Sequence, residues 1–230
     1  MIQKYLNAII HLFFPELCMG CNQSLIDQEE IICTSCLFHL PLTKFHLDAN
    51  NEAVQLFKGK IPCAFACSML YLKSDSISES LIYNLKYNNH PQVGLFLGRR
   101  YGVDLLSSPV FEDIDIIVPI PLHKKRRRKR GYNQSEYFAK GLSESLLKPV
   151  NFSLLKRNKY QSSQTKMASS DRYQNVKGAF SCISPEKAKG KCILLVDDVL
   201  TTGATLSSAA EELLQTIPDC KIYIATLAIA

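Results

Sequence analysis

Two adjacent carboxylates and a turn rich in hydroxyl groups form the stretch with the clearest chemical content. The run Ile193 to Thr205, ILLVDDVLTTGAT, begins with continuous apolar residues, so it predicts a buried strand that delivers Asp197 and Asp198 to its end. The turn that follows offers backbone N–H groups, hydroxyls and the start of a helix, which together favour a phosphate, and its glycine permits close approach of the anion. The predicted phosphate-binding residues are Thr201, Thr202, Gly203, Ala204 and Thr205.

The two carboxylates need a partner other than the phosphate, because like charges repel. Ribose 2′- and 3′-hydroxyls, or a Mg²⁺ ion shared with them, are natural partners for carboxylates. The stretch therefore predicts a sugar phosphate as ligand. The alternative is a Thr-capped strand–turn–helix with acidic residues placed for solubility, which accounts for the Asp pair but not for the whole stretch.

Four of the nine cysteines form two CxxC pairs, Cys18 with Cys21 and Cys33 with Cys36. Two such knuckles close together predict four thiolates around one structural Zn²⁺, with no open coordination position. A disulfide scaffold and scattered core cysteines are the alternatives, and the absence of a secretory signal argues against disulfides. The other five cysteines receive no predicted function.

Seven consecutive basic residues, Lys124 to Arg130, lie between an apolar run and an Asn-Gln-Ser that could begin a helix. The net charge of the chain is +6 and would be −1 without this run, so the basicity is local. A protein whose whole surface is built for DNA spreads its charge further. The run alone fits a nucleic-acid patch, an address tag, a solvated loop or an anion cradle.

Hydrophobic periodicity predicts the elements that position these groups, and their alternation indicates an α/β fold with a parallel sheet. An amphipathic helix is predicted over 1–14, a polar linker over 43–51 and a long loop over 156–175. The predicted strands are Ala64–Leu72, Ile114–Pro121, Asn151–Leu155, Cys192–Val199 and Lys221–Ala230; the predicted helices are Ser76–Tyr87, Gln92–Leu106, Gln134–Leu147 and Thr205–Thr216. Residues 1–47 are predicted to form the helix and metal ribbon, and 52–230 the α/β domain. No apolar segment is long enough to span a bilayer, and a cytoplasmic location is expected.

The Asp-Asp stretch resembles the 13-residue phosphoribosyl-pyrophosphate (PRPP) signature of the type I phosphoribosyltransferases. Together with the CxxC pairs, VPIPLHKKRRRKRGYNQS and QTKMASSDRYQNVKGAF, it resembles the ComF family over essentially the whole chain. The resemblance implies a type I phosphoribosyltransferase-like parallel sheet flanked by helices, with a small N-terminal zinc ribbon. It also implies PRPP with Mg²⁺ as the ligand.

The resemblance assigns roles to further residues. It places the basic run in the loop that binds pyrophosphate, with Arg126 and Arg130 as the best candidates and Lys124 and Lys125 beside them. A flexible catalytic loop would contain Gln164, Thr165, Arg172 and Asn175, and the implied catalytic residues are Asp197, Asp198, Arg172 and Gln164. Lys86 also fits the family pattern, with a helix-surface lysine as the alternative. His123 is the one histidine that borders the site.

Three functions stay open from the sequence. The first is a PRPP-binding protein that handles single-stranded DNA during natural transformation, the process with which the ComF family is associated. The second is an active phosphoribosyltransferase of nucleotide or amine metabolism, although no acceptor pocket is recognisable. The third is a zinc-ribbon scaffold that binds other DNA-uptake proteins. Weak DNA binding with little base preference is expected, because no aromatic residues are interleaved with the basic run.

Overall fold

A parallel sheet forms the centre of the computed structural model, which describes residues 15–158 and 178–230. Its strand order is β1-β6-β5-β2, and every neighbouring pair is parallel. The strands are β1 Cys63–Tyr71, β2 Ile116–Pro119, β5 Cys192–Leu200 and β6 Lys221–Ile229. The apolar runs of β5 and β6 are buried, as expected for strands covered on both faces. The predicted parallel sheet is therefore confirmed.

Helices flank the sheet and connect its strands. They are α1 Thr34–Phe38, α2 Glu52–Phe57, α3 Ile77–Tyr87, α4 Gln92–Leu106, α5 Lys124–Arg130, α6 Gln134–Leu146 and α7 Ala204–Thr216. Helices α4 and α6 pack closely, since a Cβ at Gly141 would lie 2.2 Å from the Leu95 carbonyl oxygen. Within the described ranges, no helix combines the length and apolar character needed to cross a bilayer.

The predicted polar linker, residues 43–51, contains local structure that the sequence did not predict. It contains a 3₁₀ helix, Phe45–Leu47, and ends at Asn51, whose side chain is buried. The Asn51 amide donates to the Ala66 carbonyl at 2.9 Å, and its oxygen accepts from the Val54 N–H at 3.0 Å. This side chain therefore ties β1 to the start of α2, a helix too short to show a clear apolar period in the sequence.

A two-stranded antiparallel sheet lies beside the main one. It pairs β3, Leu155–Arg157, with β4, Phe180–Cys182. The strand predicted at Asn151–Leu155 is wrong, because the Asn151 side chain accepts from the N–H groups of Ser153 and Leu154 and forms a turn. The predicted loop is wrong at Lys156 and Arg157, which lie in β3. Its remainder and the predicted N-terminal helix fall outside the described residues.

The basic run is a helix and not the predicted loop. The His123 ring accepts from the Lys125 N–H at 3.2 Å and caps the start of α5, and the chain turns left-handed at Gly131 to end it. Lysine and arginine are good helix formers, so capping and propensity outweigh the repulsion between neighbouring charges. The other predicted strands and helices start and end within about two residues of the observed ones, the usual spread at element ends.

Candidate functional site

The Asp pair lies at the carboxyl end of β5, where open α/β sheets bind ligands. The Asp198 N–H donates to Asp197 Oδ1 at 2.9 Å, and the Ser135 hydroxyl donates to the same oxygen at 2.8 Å. Ser135 comes from the first turn of α6, which the sheet brings to the same edge. No role was predicted for Ser135 from the sequence, although this residue ends the VPIPLHKKRRRKRGYNQS segment.

Lys86 reaches the Asp pair from the last turn of α3. Its Nζ lies 3.2 Å from Asp198 Oδ1, and the two side chains are only 19% and 16% exposed. The alternative of a helix-surface lysine therefore does not hold. Two carboxylates at one strand end repel each other, and the ammonium group compensates part of that charge.

Burial and the neighbouring carboxylate disfavour ionisation of Asp197. Removal from water is the larger cause and the negative charge of Asp198 the second, and together they raise the pKa of Asp197 to about 7. The Ser135 hydroxyl, the Asp198 N–H and the positive charge of Lys86 act in the opposite direction. The pair is therefore poised to accept a cation or hydroxyl donors that relieve the repulsion.

The turn after β5 encloses a small cleft of 40 Å³ between Asp197 and Leu206. Gly203 has φ +74° and stands at the N-terminus of α7, a helix of 13 residues. A Cβ at this position would lie 2.4 Å from Leu56 and 2.9 Å from Phe57. The turn therefore requires glycine for its backbone angle and for its packing on α2. The five predicted phosphate-binding residues all line this cleft.

The basic residues of α5 divide into two sets. Arg126 and Arg130 are partly buried, whereas the other five are exposed. Burial and the positive charge of Arg126 lower the pKa of Arg157, and the negative charge of Asp197 opposes them. Arg157, a β3 residue within the predicted loop, thus feels the charges of both Arg126 and Asp197.

Arg130 lies against helix α3. Its guanidinium lies 5.3 Å from the centre of the Tyr87 ring on α3. Arg127 forms a two-point ion pair with Glu136, at 3.0 and 3.3 Å. Lys124 and Lys125 are exposed in the first turn of α5, and burial and nearby cations lower the pKa of His123, the capping residue. Gln164, Thr165, Arg172 and Asn175 lie outside the described residues.

The four predicted metal ligands converge. The sulfurs of Cys18, Cys21, Cys33 and Cys36 all lie within 4.8 Å of one another, and those of Cys21 and Cys33 are 3.8 Å apart. Zn–S bonds of about 2.3 Å in a tetrahedron place sulfurs about 3.8 Å apart. Burial opposes ionisation of Cys18, but backbone N–H donors, Cys33 first, outweigh it and lower its pKa to about 7. The donor set and geometry fit a structural metal ion.

The cysteine ribbon, residues 15–38, packs on the helix that carries Lys86. The Asn84 amide donates to the Met19 carbonyl at 2.9 Å, between the first two cysteines. A Cβ at Gly20 would lie 3.0 Å from the Ile77 side chain at the start of α3. The ribbon therefore supports α3 along its length.

The sequence profile of the phosphoribosyl transferase domain matches residues 133–229. "DNA utilization protein YhgH" of Escherichia coli O157:H7 is 29% identical over 204 residues, which are 86% of this chain and 84% of that protein. "Competence protein F" of Haemophilus influenzae is 38% identical over 135 residues, 57% of this chain and 59% of that protein. "Competence protein ComFC" of Bacillus subtilis is 38% identical over 103 residues, 44% of this chain and 38% of that protein.

The chain is similar to these competence and DNA-utilization proteins. They support the resemblance to the ComF family, and the parallel sheet flanked by helices confirms the predicted fold. Among solved structures, the chain is similar to glutamine PRPP amidotransferase from B. subtilis, with a TM-score of 0.40, 20% identity and coverage of 62% of this chain and 30% of that one. Adenine phosphoribosyltransferase from Leishmania tarentolae gives a TM-score of 0.37, 15% identity and coverage of 79% and 89%.

Proposed function

We propose that this protein is a member of the ComF family, binds PRPP with Mg²⁺ at the carboxyl edge of its sheet and handles single-stranded DNA in the cytoplasm during natural transformation. The observation that carries the proposal is the Asp197–Asp198 pair, followed directly by a small cleft at the N-terminus of α7. The names of the related competence and DNA-utilization proteins support the DNA part. The exposed basic helix α5 supports it chemically.

Each part of PRPP has a matching group. The 5′-phosphate would accept from backbone N–H groups of Thr201 to Thr205, and the ribose hydroxyls would donate to the Asp pair. Asp197 and Asp198 would hold the Mg²⁺ ion, which would neutralise negative charge of the carboxylates and of the ligand. Arg126, which is partly buried on α5, is suited to bind the pyrophosphate oxygens in two-point fashion. In the free protein, Lys86 and Ser135 compensate part of the negative charge of the carboxylates.

Calorimetry with PRPP and Mg²⁺ tests the ligand. The double change Asp197→Asn and Asp198→Asn removes two charged acceptors, each worth about 1.5–3 kcal/mol. We therefore expect affinity to fall by at least about 100-fold. Asp113→Asn, an exposed acid before β2 at the opposite edge, is the matched control and should bind as the parent does. Unchanged affinity in the double variant contradicts the PRPP assignment.

A further inference from the structure

Two exposed tyrosines stand one turn apart on α3. Tyr83 is 55% exposed and Tyr87 is 64% exposed, and their ring centres are 5.1 Å apart. The packing of this helix on the protein uses other residues, namely Leu81, Ile82 and Leu85, which are buried. The two rings therefore offer a contiguous aromatic surface that the packing of α3 does not need. Exposed aromatic surface of this kind marks binding sites more often than isolated apolar residues do.

The fold joins this aromatic surface to the basic helix. The Arg130 guanidinium lies over the Tyr87 ring at 5.3 Å, a cation–π distance. The Tyr132 hydroxyl, just past α5, donates to the Leu85 carbonyl and fixes the end of α5 against the end of α3. Arg128 and Lys129 remain exposed on α5 next to this junction. Arg130 thus joins the tyrosine rings to the helix that carries these exposed cations.

We propose that Tyr83, Tyr87 and Arg130 form a tyrosine platform on which bases of single-stranded DNA stack, while the phosphates follow the exposed side of α5. This deepens the proposed DNA-handling function and rests on it. A stacking ring combined with a basic track is what single strands require, since their base faces are open. Duplex DNA hides those faces, and a free phosphate or acidic peptide would use the cations alone.

The tyrosine platform is adjacent to the PRPP site and chemically separate from it. Lys86 lies between the two tyrosines in the sequence, yet its ammonium group pairs with Asp198. Neither tyrosine lines the phosphate cleft. Changes in the tyrosines should therefore weaken DNA binding and leave PRPP binding in place.

Fluorescence anisotropy with the full-length, metal-loaded protein and an oligo(dT) of about 12 nucleotides tests the platform. Stacking is worth about 1–3 kcal/mol per base. We expect Tyr87→Ala to raise Kd by about 5- to 150-fold, and Tyr83→Ala with Tyr87→Ala by more. Tyr87→Phe should bind within about twofold of the parent, because it keeps the ring. The dependence of log K on log salt should not change in these variants, since no phosphate contact is removed.

A second readout reports stacking directly. The chain contains no tryptophan, so Tyr87→Trp introduces a single indole at the platform. We expect oligo(dT) to quench its fluorescence. Phe38→Ala is the control, because Phe38 is 85% exposed on the ribbon, outside the platform, and its loss should leave Kd unchanged.

The outcomes separate the platform from the wider function. The tyrosine platform is wrong, and DNA handling survives, if the parent and the double tyrosine variant bind oligo(dT) equally well and oligo(dT) does not quench the indole of Tyr87→Trp. The melting temperature of the double variant must show that it is folded. If the parent binds no oligo(dT), the DNA part of the proposed function fails. Tighter binding of oligo(U) would overturn the assignment to DNA. A dimer that dissociates on Tyr87→Ala, with no DNA effect, would assign the surface to self-association.

Discussion

At the scale of single residues, the two carboxylates of the site are held by groups from different helices. Ser135 donates to Asp197 from α6, and Lys86 pairs with Asp198 from α3. Burial and the negative charge of Asp198 disfavour the charged form of Asp197, whereas the Ser135 hydroxyl and the positive charge of Lys86 favour it. Repulsion between the carboxylates is thus retained in the free protein, and a ligand that brings Mg²⁺ and hydroxyl groups would relieve it.

The raised pKa of Asp197 predicts a pH dependence of stability. A carboxyl whose folded pKa of about 7 exceeds its ordinary 3.8 stabilises the fold below pH 4 and loses that contribution as the pH rises through 7. We expect the free energy of unfolding of the parent, relative to Asp197→Asn, to fall between about pH 4 and about pH 7 and to level off above that. The slope should not exceed about 1.4 kcal/mol per pH unit for one proton. Urea titrations at several pH values measure it.

The control for this prediction is Ser153→Ala, a change at an exposed position with no ionisable group, whose difference from the parent should not vary over the same pH range. A pH-independent difference between the parent and Asp197→Asn would show that Asp197 is ionised throughout, as an ordinary surface carboxylate is. The proposed relief of repulsion by the ligand would then lack its basis.

At the scale of elements, the cationic side chains of α5 have different surroundings and partners. Arg126 is partly buried, Arg127 is bound by Glu136, and Arg130 lies on Tyr87. The exposed residues Lys124, Arg128 and Lys129 stay solvated. No aromatic residues are interleaved with the basic run in the sequence, but in the fold α3 places the Tyr87 ring against Arg130.

This division predicts how salt affects DNA binding. If about four cations of α5 contact phosphates, log K for single-stranded DNA should fall with log salt at a slope near −3, from about 0.7 per contact. Changing Arg128 and Lys129 to Gln should reduce the magnitude of the slope by about 1.4. Lys187→Gln with Lys189→Gln, at exposed positions just before the amino end of β5, is the matched control. A slope near zero for the parent would exclude binding led by phosphates.

At the scale of the whole molecule, the cysteine ribbon and the sheet domain meet on α3. The Asn84–Met19 hydrogen bond joins the ribbon to the helix that also carries Lys86, Tyr83 and Tyr87. A metal site that stabilises the ribbon would therefore also stabilise α3, the helix that contributes to both proposed binding surfaces. The ribbon is too small to bury a core of its own, so a metal ion would supply much of its folding energy.

Metal removal should accordingly affect more than the ribbon. We expect a zinc chelator to release one ion per chain, to lower the melting temperature by several degrees and to reduce amide protection in α3, while β5 and β6 stay protected. Hydrogen exchange measures the local effect. Cys36→Ser should reproduce it, and Cys220→Ser, outside the cluster, should not. Unchanged protection of α3 after chelation would contradict a supporting role for the metal.

The sequence by itself determined the features whose parts are adjacent in the chain. Two knuckles predict a thiolate cluster, and a strand followed by Asp-Asp and TTGAT predicts the carboxylate edge and the phosphate cleft, because local spacing fixes that geometry. The sequence did not predict short elements whose backbone conformation depends on one side chain. Asn51 has this role at the start of α2, and Asn151 has it in the turn before β3.

Only the tertiary structure decided which distant groups meet. Ser135 lies 62 residues from Asp197, Lys86 and Tyr87 come from α3, and Arg157 comes from β3. No hydrophobic period or motif in the sequence predicts that Lys86 compensates the charge of Asp198 or that Arg130 lies on the Tyr87 ring. These contacts exist because a parallel sheet brings the ends of separate crossover elements to one edge. The chemical groups of the site can therefore be predicted from the sequence, whereas the tertiary structure determines which charges compensate one another.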